Sequence, residues 1–291
     1  VTRISYLGPA GTFTEAALLA LNGAGRVPGS ADQDHRSLPV ESTPAALEAV
    51  RSGVADYACV PIENSIEGGV TPTLDGLAVG SPLQIFAETA LDVSFSVVVA
   101  PGRGEADIRT VAAHPVAGAQ VRRWLAQHLP GAQTVPANSN AAAAQQVYDG
   151  EVDAGVSTAL AAQQRGLVAL AEGVIDEPNA RTRFVLVGPP APPPPPTGSD
   201  RTSVVLRLDN APGALAAALT EFGSRGIDLT RIESRPTRTE LGTYLFFLDC
   251  VGHIDDEAVA EALRALRRSC ADVRYLGSWP IGPADRCGAD S

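Results

Sequence analysis

A run of prolines divides this chain. From Gly188 to Ser199 the sequence reads Gly-Pro-Pro-Ala-Pro-Pro-Pro-Pro-Pro-Thr-Gly-Ser. Consecutive prolines continue neither a helix nor a central strand, and they favour extended polyproline II. The chain has 291 residues, so each side of the break has room for at least one domain. The run suits either a proline motif read by a partner or a semi-rigid spacer, and globular patterning on both flanks favours the spacer. The expected organisation is an N-terminal domain over 1–188, a linker over 189–200, a second domain over 201–280 and a tail over 281–291. No apolar run approaches the ~20 residues of a membrane helix. The first residues lack a signal-peptide pattern, so a cytoplasmic protein is expected.

Before the break, short apolar runs alternate with helical periodicity. Strands are expected at 4–7, 57–62, 93–99, 110–113, 154–157 and 183–187. Helices are expected from Phe13 and near 44–51, 116–128, 141–149 and 159–165. Alternating elements of this kind make an α/β layered sheet, and the apolar stretch 86–100 suits a crossover between two lobes. A cleft between lobes is the default ligand site. After the break the order is βαββαβ, the ferredoxin-like arrangement. Strands are read at 203–208, 227–235, 243–251 and 273–276, with helices carrying Leu215, Leu219 and Phe222, then Val259, Leu263 and Leu266. Such a small domain has sheet edges and one face to cover, and gains by pairing with a copy of itself.

Charge and rare residues exclude several functions. Acids outnumber bases 33 to 22, a net charge of −11, which would repel a phosphate backbone and argues against nucleic-acid binding. Every base is Arg; the chain has no Lys, which removes lysine Schiff-base chemistry and lysine-ended phosphate loops. Cys59, Cys250, Cys270 and Cys287 form no C-x-x-C pair, and His35, His114, His128 and His253 are scattered. Neither set has metal-ligand spacing, so no metal site is expected and the cysteines read as reduced thiols.

Several short constellations carry polar groups at strand ends, and each has two readings. Gly8-Pro9-Ala10-Gly11-Thr12 is either an anion-holding turn or a plain turn with Thr12 as N-cap. Glu63-Asn64-Ser65-Ile66-Glu67 follows an apolar strand, as ligand groups do, but it also suits a solvated turn. His114, before a helix bearing Gln120, is a base or a packed residue, and Ser139-Asn140 caps the next helix. Arg183 offers a fork of donors for a carboxylate beside the Thr182 hydroxyl, or is an exposed edge residue. Glu233 and Arg235 read equally as a surface ion pair of little energetic weight.

Taken in order, Gly8-Pro9-x-Gly11-Thr12-Phe13, Pro61-Ile62-Glu63-Asn64-Ser65, His114-Pro115, Thr182-Arg183-Phe184, Gly213-Ala214-Leu215 and Glu233-Ser234-Arg235-Pro236 closely resemble the bacterial monofunctional prephenate dehydratase family. The resemblance implies a two-lobed catalytic domain similar to a type-II periplasmic-binding fold. It also implies a C-terminal ACT domain that binds phenylalanine as feedback effector. The implied reaction takes prephenate to phenylpyruvate with loss of water and carbon dioxide, without a cofactor. By resemblance Thr182 contacts the departing hydroxyl, Arg183 orients or neutralises a carboxylate, and Phe184 shapes a wall beside the ring. Gly11, Thr12, Asn64, Ser65, Gln120, Ser139 and Asn140 are the expected polar lining, and Glu63 or Glu67 is a candidate protonated acid. Asn210, Gly213, Ala214, Leu215, Glu233, Ser234, Arg235 and Pro236 are the expected phenylalanine contacts, at an interface between two ACT domains of a homodimer or tetramer. Relatives often have Ser where this chain has Ala113, and Ser-Thr-Ala where it has Ser139-Asn140-Ala141. Arogenate dehydratase and a non-catalytic amino-acid sensor are the alternatives.

Overall fold

The computed structural model describes residues 1–29, 35–176, 180–238 and 242–282. Asn179, Cys287 and the expected tail from residue 283 lie outside the described residues. The first lobe begins β1 (Thr2–Leu7), α1 (Phe13–Gly23), β2 (His35–Val40), α2 (Thr43–Arg51) and β3 (Tyr57–Asn64). It continues through β4 (Gly68–Gly69), α3 (Thr71–Ala78) and β5 (Gln84–Asp92). The chain then crosses to a second lobe. This contains β6 (Phe95–Val99), β7 (Thr110–Ala113), α4 (Pro115–Gln120), α5 (Arg122–His128) and β8 (Gln133–Pro136), then α6 (Asn140–Tyr148), β9 (Ala154–Ser157), α7 (Ala159–Arg165) and β10 (Val168–Val174). It returns as β11 (Arg181–Gly188), which inserts between β3 and β5 to give the order β2-β1-β3-β11-β5. The second-lobe order is β10-β6-β9-β7-β8.

The expected crossover lies at the end of β5, where a hydrogen bond from Val93 N to Ala180 O (2.7 Å) ties the outgoing chain to the returning one. The strand read from Val93 therefore starts only at Phe95. The helix read over 116–128 is divided at Val121 (φ −122°, ψ 12°), whose buried side chain joins the second-lobe core and marks the break between α4 and α5.

After the prolines come β12 (Asp200–Arg207), α8 (Ala214–Gly223), β13 (Leu229–Pro236), β14 (Tyr244–Val251), α9 (Glu257–Ser269) and β15 (Asp272–Pro280). Their sheet has the order β13-β14-β12-β15. Because side chains alternate along a strand, Val204, Leu206, Leu248 and Cys250 face α8 and α9, where they meet Phe222, Val259 and Leu263. The intervening Val205 and Phe247, with Leu276 and Trp279, face the first lobe and join one core with Leu47, Leu74, Ile85 and Val185. Each such side chain contributes roughly 1.5–3 kcal/mol by leaving water. The open face of this sheet is thus covered by the same chain rather than by a second copy, while β13 remains a free edge.

β15 crosses β5 at backbone distance. A Cβ at Gly277 (φ 136°) would lie 2.2 Å from Ile85 O, so only glycine admits this approach. The proline segment is largely exposed but is anchored to both domains. Gln84 Oε1 accepts from Ala191 N (3.0 Å), His253 Nε2 lies 2.9 Å from Pro194 O, and the prolines pack beside Tyr57 and Phe86.

Candidate active site

Between the lobes lies a cleft of about 750 Å³. The first lobe lines it with Gly8, Thr12 and Phe13, and the second with His114, Ser139 and Asn140. Both lobes aim helix N-termini at it. Thr12 caps α1, its Oγ1 accepting from Glu15 N (3.3 Å) and donating to Leu7 O (3.1 Å). Ser139 caps α6 by accepting from Ala142 N (3.0 Å). Two positive dipole ends across one cleft suit a dianionic ligand. Asn140 Oδ1 is buried there without a hydrogen-bond partner, and a buried acceptor of this kind favours a donating ligand hydroxyl.

Gly11 serves the lobe contact instead of the cleft. Its N–H donates to Glu15 Oε2 (2.6 Å) and its carbonyl accepts from Thr158 Oγ1 (2.6 Å) of the second lobe. At φ 88°, a Cβ on Gly11 would meet Ala161 Cβ at 2.7 Å. Beside it, Gln164 Nε2 donates to Glu15 Oε2 (2.9 Å). The turn is therefore a joint between lobes, and its Gly11 N–H is already taken.

Thr182 stands where β11 returns to the first lobe, two residues past the Ala180–Val93 tie. It pairs across strands with Asn64, and Asn64 Nδ2 donates to Thr182 Oγ1 (2.9 Å). Asn64 is itself fixed, its Oδ1 accepting from Ile66 N (2.8 Å) and Glu67 N (3.1 Å). Thr182 therefore receives a hydrogen bond on oxygen and keeps its own O–H to donate. A donor feeding into a hydroxyl polarises that proton outward.

The neighbours of Thr182 point elsewhere, and two expected roles are corrected. Period-2 alternation turns Arg183 to the opposite face of the sheet. There its Nε donates to Glu63 Oε2 (3.0 Å), Nη1 to Glu88 Oε2 (3.2 Å) and Nη2 to Asp249 Oδ2 (2.7 Å). A guanidinium held by three carboxylates does not orient a ligand carboxylate in the cleft. Phe184, on the Thr182 face, is buried among Ile4, Tyr6, Ala17 and Leu18 in the core, so it is no wall of the cleft. Glu63, a candidate protonated acid, is an ion-pair partner of Arg183 (2.8 Å), and Glu67 is exposed. Ser65 accepts from Arg181 N (2.8 Å) and lines a different cavity, of about 340 Å³, between the first lobe and the C-terminal sheet. Gln120 closes α4, its Oε1 buried without a partner, outside the cleft lining.

Sequence reasoning missed the rest of the buried ion cluster. Arg201 Nη1 donates to Glu88 Oε2 (2.7 Å), Ser203 Oγ to Asp249 Oδ1 (2.7 Å), and Arg231 to both Asp249 oxygens (2.8 and 3.0 Å). A signal was present: Glu88 and Asp249 are lone acids inside apolar strands, and fully buried acids require partners. Burial pushes the Asp249 carboxyl up, but the Arg231 and Arg183 charges, with hydrogen bonds from Arg231 and Ser203, hold it well below the usual carboxylate range. A depressed folded pKa means the unfolded chain binds the proton more readily. The stabilisation is therefore complete above about pH 4 and lost as pH falls further. Thermal unfolding between pH 4 and pH 2 is expected to show a steeper acid decline for the parent than for Asp249→Asn.

In the C-terminal domain a cavity of about 180 Å³ is lined by Asp209, Asn210, Ala214, Leu215, Tyr244 and Phe246. Gly213, at φ 82°, is the N-cap of α8. The Glu233-Ser234-Arg235-Pro236 segment lies instead on the free edge strand β13. Arg235 does not pair with Glu233. It donates to Asp75 of α3 (3.3 and 3.4 Å), and a Cβ on Gly69 would lie 3.1 Å from Glu233 Cδ. Within one chain Ser234 and Pro236 pair across strands with Phe246 and Tyr244 of the cavity lining, while Glu233 and Arg235 alternate to the opposite face.

The family model described as prephenate dehydratase matches residues 4–192, and the ACT domain model matches residues 202–268. A prephenate dehydratase of Mycobacterium tuberculosis is 72% identical over 284 residues, covering 98% of this chain and 88% of its own. The crystal structure of an Arthrobacter aurescens prephenate dehydratase in complex with L-Phe superposes with a TM-score of 0.85 at 45% identity, covering 96% of this chain and 90% of that one. A protein described as a novel type of quorum quenching acylase superposes with a TM-score of 0.84 at 31% identity, covering 98% and 100%. With a two-lobed α/β domain, a βαββαβ domain and full-length identity of this order, the chain belongs to the prephenate dehydratase family and carries a C-terminal ACT domain.

Proposed function

We propose that this chain converts prephenate to phenylpyruvate, and that the observation carrying the reading is the Thr182–Asn64 pair where β11 returns to the first lobe. The ring C–O bond breaks, and hydroxide takes a proton to leave as water. The electrons of the C–carboxylate bond move into the ring as carbon dioxide departs. Aromatisation drives the step, so the protein chiefly orients the dianion and assists the hydroxyl. Thr182 Oγ donates to the departing oxygen, and the Asn64 amide strengthens that donation. The N-termini of α1 and α6 hold the carboxylates, and Asn140 Oδ1 accepts from the substrate hydroxyl before it leaves. The direct test compares turnover of prephenate with that of arogenate, which carries an amino group in place of the keto oxygen. Turnover of prephenate supports the reading; turnover of arogenate alone would replace it.

For regulation, we read the cavity beside Asn210 and Leu215 as half of a phenylalanine site, with Asp209 facing the ammonium and Leu215 and Phe246 facing the ring. The β13 edge of a second copy supplies the Glu233–Pro236 half, since an unpaired edge is a ready surface for pairing. Phenylalanine is therefore expected to favour the dimer or larger oligomer. Sedimentation at increasing phenylalanine checks this, and an unchanged distribution would count against it. Free thiols at Cys59, Cys250 and Cys270 support a reducing, cytoplasmic compartment. No helix among the described residues is long and apolar enough to cross a membrane.

A further inference from the structure

The buried ion cluster lies directly behind the reactive pair. On β3 and β11, Asn64 faces Thr182 on one side of the sheet, and the adjoining cross-strand pair is Glu63 with Arg183. Every guanidinium nitrogen of Arg183 is committed, to Glu63 and Glu88 of its own lobe and to Asp249 of the ACT sheet. Asp249 is 1% exposed and Arg183 7%. The strand ladder is irregular at both ends of the chain of contacts. β3 carries an extra residue, Ile62, opposite the Arg183–Phe184 step, and β13 carries an extra residue, Thr230, before Arg231. Bulges of this kind re-aim side chains beside functional sites. Arg231, which grips Asp249, lies on the same strand as the Glu233–Pro236 segment.

We propose that Asp249 is a positioning residue for the reaction. From the ACT sheet it holds Arg183, and through β11 and β3 it sets the placement of Thr182 and Asn64. This rests on the prephenate dehydratase reading above. It also makes Asp249 the link through which a shift of β13, carried by Arg231, reaches the reacting hydroxyl. Thr182 and Arg183 are consecutive residues on opposite faces, so a rotation of β11 that follows Asp249 moves both. Without Asp249, Glu63 and Glu88 hold Arg183 only from its own lobe, and the seam loses one of its ion pairs while Arg201–Glu88 remains.

The test measures kcat, KM and the phenylalanine response of the full chain as parent, Asp249→Asn, and the double variant Asp249→Leu/Arg231→Met. Asp249→Asn leaves two buried guanidinium groups short of a counter-charge and is at risk of not folding. The double variant removes one acid and one base together, a replacement that buried ion pairs often tolerate. A misplacement near 1 Å costs on the order of 10²-fold, so the double variant is expected to lose roughly 10- to 100-fold in kcat with KM within about twofold. It is also expected to lose its response to phenylalanine, while unfolding cooperatively well above the assay temperature. A purely structural role would lower thermal stability and leave kcat and the response intact. That outcome, in a folded double variant, overturns the inference. A parent without turnover on prephenate overturns the underlying reading, and this inference with it. An active parent with unaffected variants overturns this inference alone.

Discussion

Thr182→Ala is expected to lower kcat for prephenate on the order of 100- to 1,000-fold with little change in KM, the usual cost of removing one preorganised donor aimed at developing charge. The hydroxyl is small, fixed and already polarised by Asn64 Nδ2 at 2.9 Å, so its loss leaves the departing oxygen facing a methyl group. Thr182→Ser keeps the donor and is expected to restore most of the rate. Asn64→Ala should fall between the two, because it removes the polarising bond without removing the donor. Phenylpyruvate formation under saturating prephenate reads all three. Alanine and serine variants with equal rates would show that the hydroxyl takes no part. Neither substitution should disturb the fold greatly, since Thr182 lies at the start of β11 and its main chain pairs with β3 and β5 in any case.

Gly277→Ala is expected to have the largest structural effect of an added methyl at any described glycine. The added Cβ would stand 2.2 Å from Ile85 O and 3.1 Å from Ile85 N. Both are backbone atoms of a strand that cannot swing aside as a flexible side chain does. The positive φ of 136° adds strain of its own. Relief requires β15 to lift from β5, which exposes Trp279 and Leu276 and pulls Asp249 away from Arg183. The expected result is loss of the single cooperative transition, with the ACT domain melting before the catalytic domain. Calorimetry and amide exchange on β5 and β15 check this. One unchanged transition in the variant would show that the two strands are not held together as described.

How far the sequence alone reached depended on where each strand sits. Central strands such as β7 and β9 are short apolar runs bounded by turn signals, and they were read at their observed limits. Of the strands the sequence does not reveal, β2, β8 and β10 are edges of their sheets, β4 is two residues long, and β5 falls in the stretch expected as a crossover. Half-solvated edges carry mixed residues, and Pro39 and Pro136 are tolerated there though they argue against a central strand. The capping roles of Thr12 and Ser139 were legible because hydroxyl caps act within one turn. Thr182 and Asn64 were legible only through the family motifs, since 118 residues separate them. Arg183 was misplaced for a physical reason. Adjacent residues on a strand face opposite ways, so a tripeptide motif cannot deliver three side chains to one cleft. One of its three carboxylate partners, Asp249, comes from another domain, and no spacing in the sequence connects them.

The central claim is that the chain dehydrates and decarboxylates prephenate, with Thr182 and Asn64 assisting the departing hydroxyl, under control of the ACT domain. The most direct measurement follows phenylpyruvate formation by the purified full chain from prephenate as phenylalanine is raised. The account predicts turnover in its absence and progressive suppression as it binds. Turnover that phenylalanine leaves untouched would contradict the regulatory half, and the absence of any phenylpyruvate would contradict the account as a whole.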